Sequence, residues 1–323
     1  NIKLILIIFF LSQQIFAQER SVLVISLDGV GYNFLKNKNL SSFNTIKKNG
    51  LHGKMNPVFQ STTFPAHASM ATGVYPDKHG IIHNIFYDEV RGKFNYSGDT
   101  NWYDVPPIWI TAEQNGIKSA VYFWIGSDTN WKGVSPSFKK VPFNNKVSEE
   151  IKINQILSWI DLPVGEKPRL IMSWWHGIDS QGHKFGTRDQ RTIEQLNKQN
   201  KNLLELINQL DKRNAWEYLT LFIVSDHGMT DISNFINLKS TLETAGIDAS
   251  VYDGPAVAHI FLNSEDIDRA KEVLSNIQEI EIYKKNETPS NLHLDHPSRS
   301  GDIIVTTNAP NMFLSNSKAK NIL

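Results

Sequence analysis

The sequence predicts an α/β protein built on a mostly parallel central sheet with helices on both faces. Three observations predict it. Apolar runs of strand length recur along the chain, and each gives way to a polar or acidic residue and then a turn. A long polar stretch with an apolar stripe at helical spacing separates two of these runs. The 323 residues suffice for one large core, with room for a smaller appendage. Strands joined by helical crossovers run parallel, and such sheets bind ligands at the carboxyl ends of their strands.

The N-terminal "NIKLILIIFFLSQQIFAQER" has Lys3, an apolar segment from Leu4 to Leu11, and the small residue Ala17 before Gln18. That order predicts a secretory signal peptide over residues 1–17, too short in its apolar part to span a bilayer. A buried first strand is the weaker alternative, because another strand pattern follows at once. The expectation is an exported protein cleaved near Ala17, with residues 18–323 forming one domain. The chain opens on Asn1 rather than methionine, so its natural start is expected further upstream.

"SVLVISLDGVG" (Ser21 to Gly31) is the first apolar run, and a Lys/Asn-rich helical segment follows to Gly50. "KSAVYFWIGSD", "RLIMSWWHGID" and "YLTLFIVSDHG" repeat the pattern, the last with the composition of a strand buried on both faces. Between the latter two, Ile193, Leu196, Leu203, Leu204, Ile207 and Leu210 form the stripe of a helix within residues 188–213. "GDIIVTT" near the C-terminus reads as a further strand of the same parallel sheet.

Lys+Arg and Asp+Glu both total 33, so no global field points to nucleic acid, and no nucleic-acid-binding module is evident. There are no cysteines, which excludes disulfides and thiolate metal sites. Any metal must be held by oxygen or imidazole. Three apolar runs end in acid: Asp28, Asp179 and Asp226, the last followed by His227. "GIDSQGHKFG" adds His183 four residues after Asp179, with Gly182 read as a tight turn between them. Each signal alone fits a solvated turn. Several carboxylates on one sheet edge are harder to dismiss, because their uncompensated burial is costly. Carboxylate and imidazole ligands without sulfur suit a catalytic zinc or another divalent ion.

"FQSTTFPAHASMATGVYPDKHGIIHN" (Phe59 to Asn84) offers the hydroxyls of Thr62 and Thr63 before a small-residue helix. Such a hydroxyl is a common helix cap. It is also well placed for an alkoxide and an anionic phosphate at a helix N-terminus. "LDGVGYNF" fails as a dinucleotide fingerprint, since Phe34 occupies the place of the third glycine. Tyr87 and the aromatics of "YFWIGSDTNWKG" either stack on a base or pack in the core, and packing is the favoured reading for each.

"SLDGVG", "TTFPAHASMATGVYPDKHGI", "HN", "FWIGSD", "DSQGH", "SDHGMTD" and "RSGDI" occur in the order that resembles the nucleotide pyrophosphatase/phosphodiesterase family of the alkaline phosphatase superfamily. The resemblance covers roughly Ser21 to Ile304. It implies an alkaline-phosphatase-like fold and two zinc ions that hydrolyse phosphodiester or pyrophosphate bonds of a small-molecule or nucleotide substrate. It further implies Thr63 as nucleophile, through a phosphothreonine intermediate, and Asn84 as donor to a phosphate oxygen. One metal site resembles Asp28, Thr63, Asp226 and His227; the other resembles Asp179 and His183. Two departures stand out. Ala66 occupies a position usually held by Asn, and the third ligand of the Asp179 site, a histidine in a Gly-x-His-Gly-x-Asp segment, has no counterpart here. His293 and His296 lie in a different motif context and are not assigned. The natural gene is therefore expected to continue past Leu323. A phosphomonoesterase of the same superfamily and a non-catalytic binding relative are the alternative readings.

Overall fold

The computed structural model describes residues 19–36 and 40–314. The expected signal peptide and the cleavage near Ala17 lie outside the described residues. Along the chain, β1 (Ser21–Leu27) leads into α1 (Tyr32–Leu35) and α2 (Ser41–Asn49). Then α3 (Thr63–Thr72) and the single turn α4 (Pro76–His79) precede a hairpin of β2 (Ile85–Asp88) and β3 (Gly92–Asn95). Next come α5 (Ile108–Gln114), β4 (Ser119–Tyr122), β5 (Phe138–Lys140), α6 (Glu149–Ile160) and β6 (Leu170–Trp175). They are followed by α7 (Gly177–Phe185), α8 (Gln190–Lys212) and β7 (Leu219–Val224). The remainder holds β8 (Asn234–Ile236), α9 (Leu238–Thr244), β9 (Ala249–Asp253), β10 (Val257–Leu262) and α10 (Ile267–Leu274). It closes with β11 (Ile280–Lys284), β12 (Ile303–Thr307) and β13 (Asn311–Phe313).

The first five long-range strands make a sheet in the order β5-β4-β6-β1-β7, every pair parallel. Leu23, Ile25 and Leu27 of β1 are sealed in the core, while Val22 and Val24 pack against it from the other face. Helix α8 forms where the stripe predicts. Leu196, Leu203, Leu206, Ile207 and Leu210 are buried, each stabilising the fold by about 1.5–3 kcal/mol on transfer from water. Asp189 caps it, accepting the Arg191 N–H at 2.9 Å. Helices α2, α6 and α7 pack on α8, and α5 lies on β4.

Three readings of the sequence are corrected. Strand β7 is an edge strand among the described residues, paired only with β1, so Phe222 is 50% exposed rather than buried on both faces. "GDIIVTT" supplies β12, which lies inside a second, antiparallel sheet ordered β11-β12-β10-β9 with its own core under α9 and α10. An apolar run buried on both sides reads alike in either kind of sheet. Gly182 is buried inside helix α7 and makes no turn, so Asp179 and His183 are neighbours at helical i,i+4 spacing.

Candidate metal centre

Register places the site. Leu27 of β1 stands opposite Trp175 of β6, and Ser26 stands opposite Val224 of β7, so the three carboxyl ends lie side by side. The turns that follow must approach closely. A Cβ on Gly31 would come 2.9 Å from the Gly228 Cα, which is why both strand-end turns carry glycine. The "LDGVG" glycines therefore serve backbone packing between turns. Gly29 donates to Asp226 Oδ1 at 3.1 Å, tying the two acidic turns together.

Around this edge Asp28, Asp179 and His227 each offer a ligand atom within 4.8 Å of the others. The imidazole of His227 is the hub. Its Nε2 lies 3.3 Å from Thr63 Oγ1, 3.5 Å from Asp28 Oδ1 and 3.2 Å from Asp226 Oδ2. Its Nδ1 bonds the Gly228 carbonyl at 3.0 Å, which makes Nδ1 the donor and leaves the Nε2 lone pair facing the cluster. Thr63 opens α3, and its neighbour Thr62 makes no side-chain cap. Asn84 accepts the Phe64 N–H through Oδ1 at 2.9 Å, so its amide NH2 is left to face outward. His183 lies 3.2 Å from Asp179 but is largely exposed, and Asp179 raises its imidazole above the usual range.

The electrostatics are open. Asp28 and Asp226 are buried, yet among the described residues nothing makes a well-formed hydrogen bond to Asp28 Oδ1, Asp179 Oδ1 or Asp226 Oδ2. Burial, then the neighbouring Asp226 and Asp179 charges, pushes the Asp28 carboxyl well above the ordinary carboxylate range. A native fold rarely leaves such acceptors unmet, and an absent ion is one standard reason. Oxygen and imidazole donors of this set fit zinc or another divalent cation.

Two supporting residues escaped the sequence reading. Trp174, in the expected core run, donates its indole N–H to Asp28 Oδ2 at 2.8 Å and so turns Oδ1 toward the cluster. His67, one turn along α3, bonds the Thr63 carbonyl at 2.8 Å and Ser26 Oγ at 2.8 Å, 3.3 Å from Asp226 Oδ2. Burial holds His67 below its usual range. Its four-residue spacing from Thr63 was the only available signal. The aromatics pack, as favoured. Trp124 and Trp131 are buried, donating to the His67 and Tyr103 carbonyls, and Tyr87 stacks on Tyr252. His293 pairs with Asp77 and His296 with Asp104, so neither has its partner in the cluster. A cavity of about 1020 Å³ runs beside α1 and β7 and meets the site only through Asp226 and His227.

Fold and site together define an α/β protein with an oxygen- and imidazole-lined candidate metal centre next to a threonine at a helix N-terminus. The chain belongs to the type I phosphodiesterase/nucleotide pyrophosphatase family, whose sequence profile matches residues 22–321. It is 32% identical to venom phosphodiesterase 2 of Crotalus adamanteus over 255 residues, 74% of this chain and 30% of that protein. It is also 32% identical to ectonucleotide pyrophosphatase/phosphodiesterase family member 1 of Homo sapiens, over 86% of this chain and 32% of that protein. The chain thus spans about a third of these curated relatives. Murine ectonucleotide pyrophosphatase/phosphodiesterase 5 superposes with a TM-score of 0.84 at 28% identity, covering 92% of this chain and 81% of that one. The human counterpart gives 0.84 at 29%, covering 93% and 81%. An inactive threonine-to-alanine variant of the murine protein was solved in complex with AMP. The fold is alkaline-phosphatase-like.

Proposed function

We propose that this chain carries the catalytic domain of an exported, two-zinc phosphodiesterase or nucleotide pyrophosphatase. The observation that carries the reading is the convergence of Thr63 Oγ1, Asp28 and Asp226 on His227 Nε2, with three carboxylate oxygens unmet beside them. Asp28, Thr63, Asp226 and His227 would hold one zinc, and Asp179 and His183 the other. Zinc, when bound, supplies Lewis-acid charge that acidifies the threonine hydroxyl and stabilises the leaving oxygen.

Thr63 Oγ attacks phosphorus in line with the leaving group. The Oγ–P bond forms, the bond to the leaving oxygen breaks, and a phosphothreonine remains. Water then cleaves it and restores the hydroxyl. The outward amide of Asn84 donates to a non-bridging oxygen, where charge concentrates. His67 holds the Thr63 carbonyl, so the first turn of α3 keeps its aim. Among the described residues, no Lys or Arg bonds to Asp28, Thr63, Asn84, Asp179, Asp226 or His227. The captured AMP of the murine relative supports a nucleotide-containing substrate. Export rests on the N-terminal apolar segment and on the extracellular naming of the relatives; no helix among the described residues is long and apolar enough to cross a membrane.

A panel of p-nitrophenyl monoesters and diesters, with zinc measured in parallel, tests the proposal. Diester turnover that scales with bound zinc is expected. Preferential monoester turnover would make it a phosphomonoesterase, and zinc binding without either turnover would make it a binding relative.

A further inference from the structure

The "RSGDI" segment contributes no atom to the cluster around His227, yet it holds one of the most heavily bonded side chains in the molecule. Arg299 is 3% exposed. Its Nε donates to Asp88 Oδ2 at 2.7 Å and its Nη2 to Asp104 Oδ1 at 3.0 Å. Its Nη1 donates to the carbonyls of Gly80 at 2.6 Å and Trp102 at 3.0 Å. Two of these partners bracket Asn84: Gly80 lies four residues before it and Asp88 four residues after. Gly80 adopts φ +81°, and a Cβ there would overlap the Arg299 guanidinium and the Asp104 carboxylate. The glycine of "KHGI" is thus required by the arginine of "RSGDI".

The bracketed loop is closed at both ends onto α3. His79 accepts the Ile81 N–H through Nδ1 at 3.0 Å and donates from Nε2 to Ser69 of α3 at 2.9 Å. Asn84 returns to the start of the same helix at the Phe64 N–H. Burial would raise the Asp88 carboxyl, but Arg299 and the backbone N–H groups of Arg91 and Val90 outweigh it and hold it at about 2. The arginine is therefore clamped to an ionised partner.

We infer that Arg299 is a positioning residue: from the antiparallel-sheet side of the molecule it fixes the loop that aims Asn84 at the phosphate. The inference rests on the proposed phosphoryl-transfer role of Asn84, so its test has one arm that needs no turnover. Arg299→Lys keeps the charge but loses the planar fork. It should speed hydrogen exchange at the Phe64 amide, as Asn84→Ala also should, while amides in the last turn of α3 stay protected. In the kinetic arm, Arg299→Lys should lower kcat about ten- to hundredfold in the wild-type background and less than about threefold in Asn84→Ala, with zinc content unchanged. Equal losses in both backgrounds, or no change at the Phe64 amide, would reduce Arg299 to a scaffold residue and overturn the inference. If Arg299→Lys does not fold, Asp104→Asn, at a half-exposed partner, should show the same coupling in weaker form. Absent diester turnover in the wild type would refute the proposed function and leave the exchange arm to decide on Arg299.

Discussion

Around His227, three carboxylates gather at a sheet edge, and among the described residues three of their oxygens accept no well-formed hydrogen bond and have only imidazoles as near neighbours. Around Arg299, two carboxylates meet one guanidinium whose nitrogens all donate, and Ser298 adds a further hydroxyl to Asp88. Each cluster has a buried centre, Asp28 and Asp226 in one and Arg299 and Asp88 in the other. Only the second is closed. A closed cluster is a joint, because its charges are spent on one another. An open one keeps acceptors that no described residue satisfies, which is the basis for proposing a cation there. Burial of acid by itself therefore separates nothing; the tally of unmet atoms does.

The largest break in this comparison concerns the hydroxyl beside the open cluster. Thr63→Ala should lower turnover by about 10³-fold or more while zinc stays bound to the carboxylates and imidazoles. Thr62→Ala should cost little, since Thr62 Oγ1 makes no hydrogen bond. The reverse pattern in paired kinetic assays would move the nucleophile by one residue.

The next pair sets the two clusters against each other. Asp88→Asn should destabilise the protein by about 3 kcal/mol, because it leaves the buried Arg299 charge with only the half-exposed Asp104 as its counter-charge. Asp28→Asn should act oppositely in metal-free protein. It removes repulsion with Asp226 and Asp179 and should raise stability by about 1 kcal/mol, while abolishing stabilisation by zinc. Denaturant unfolding with and without zinc measures both. A shared sign in metal-free protein would erase the distinction.

A further effect is a pH dependence carried by buried histidines. Burial pushes His259 of the antiparallel sheet down to about 4, from an ordinary value of 6.5. His79 falls to about 3 and His176 to about 4, burial again leading. In each case the unfolded chain takes up the proton first. Stability is then full above pH 6.5 and lost as pH falls toward 4. His259→Leu should flatten part of that loss in thermal unfolding followed from pH 7 to 4.5. An unaltered slope would mean that His259 is already protonated in the fold.

Much of the parallel edge was legible in sequence, because buried parallel strands announce themselves as apolar runs and their ends as turns. "SLDGVG" and "SDHG" fall where β1 and β7 end. Helix α8 was legible from its period. What the sequence could not display depends on contacts between distant segments. Trp174 and Asp28 are 146 residues apart, and Arg299 and Asp88 are 211 apart. No local pattern distinguishes a core tryptophan from one whose N–H orients a carboxylate. Helix α7 was hidden for a local reason: Gly182 read as a tight turn, yet it lies inside the helix, where a Cβ would meet the Met229 side chain.

The unmet oxygens around His227 are expected to bind metal. Zinc titrated into metal-free wild type and Asp226→Asn, followed by calorimetry with diester turnover on the same samples, tests this directly. The wild type should bind zinc and gain activity in step, and Asp226→Asn should bind less zinc and lose activity. Undiminished zinc and turnover in Asp226→Asn would show that these are turn residues, and that the open cluster is not a metal centre.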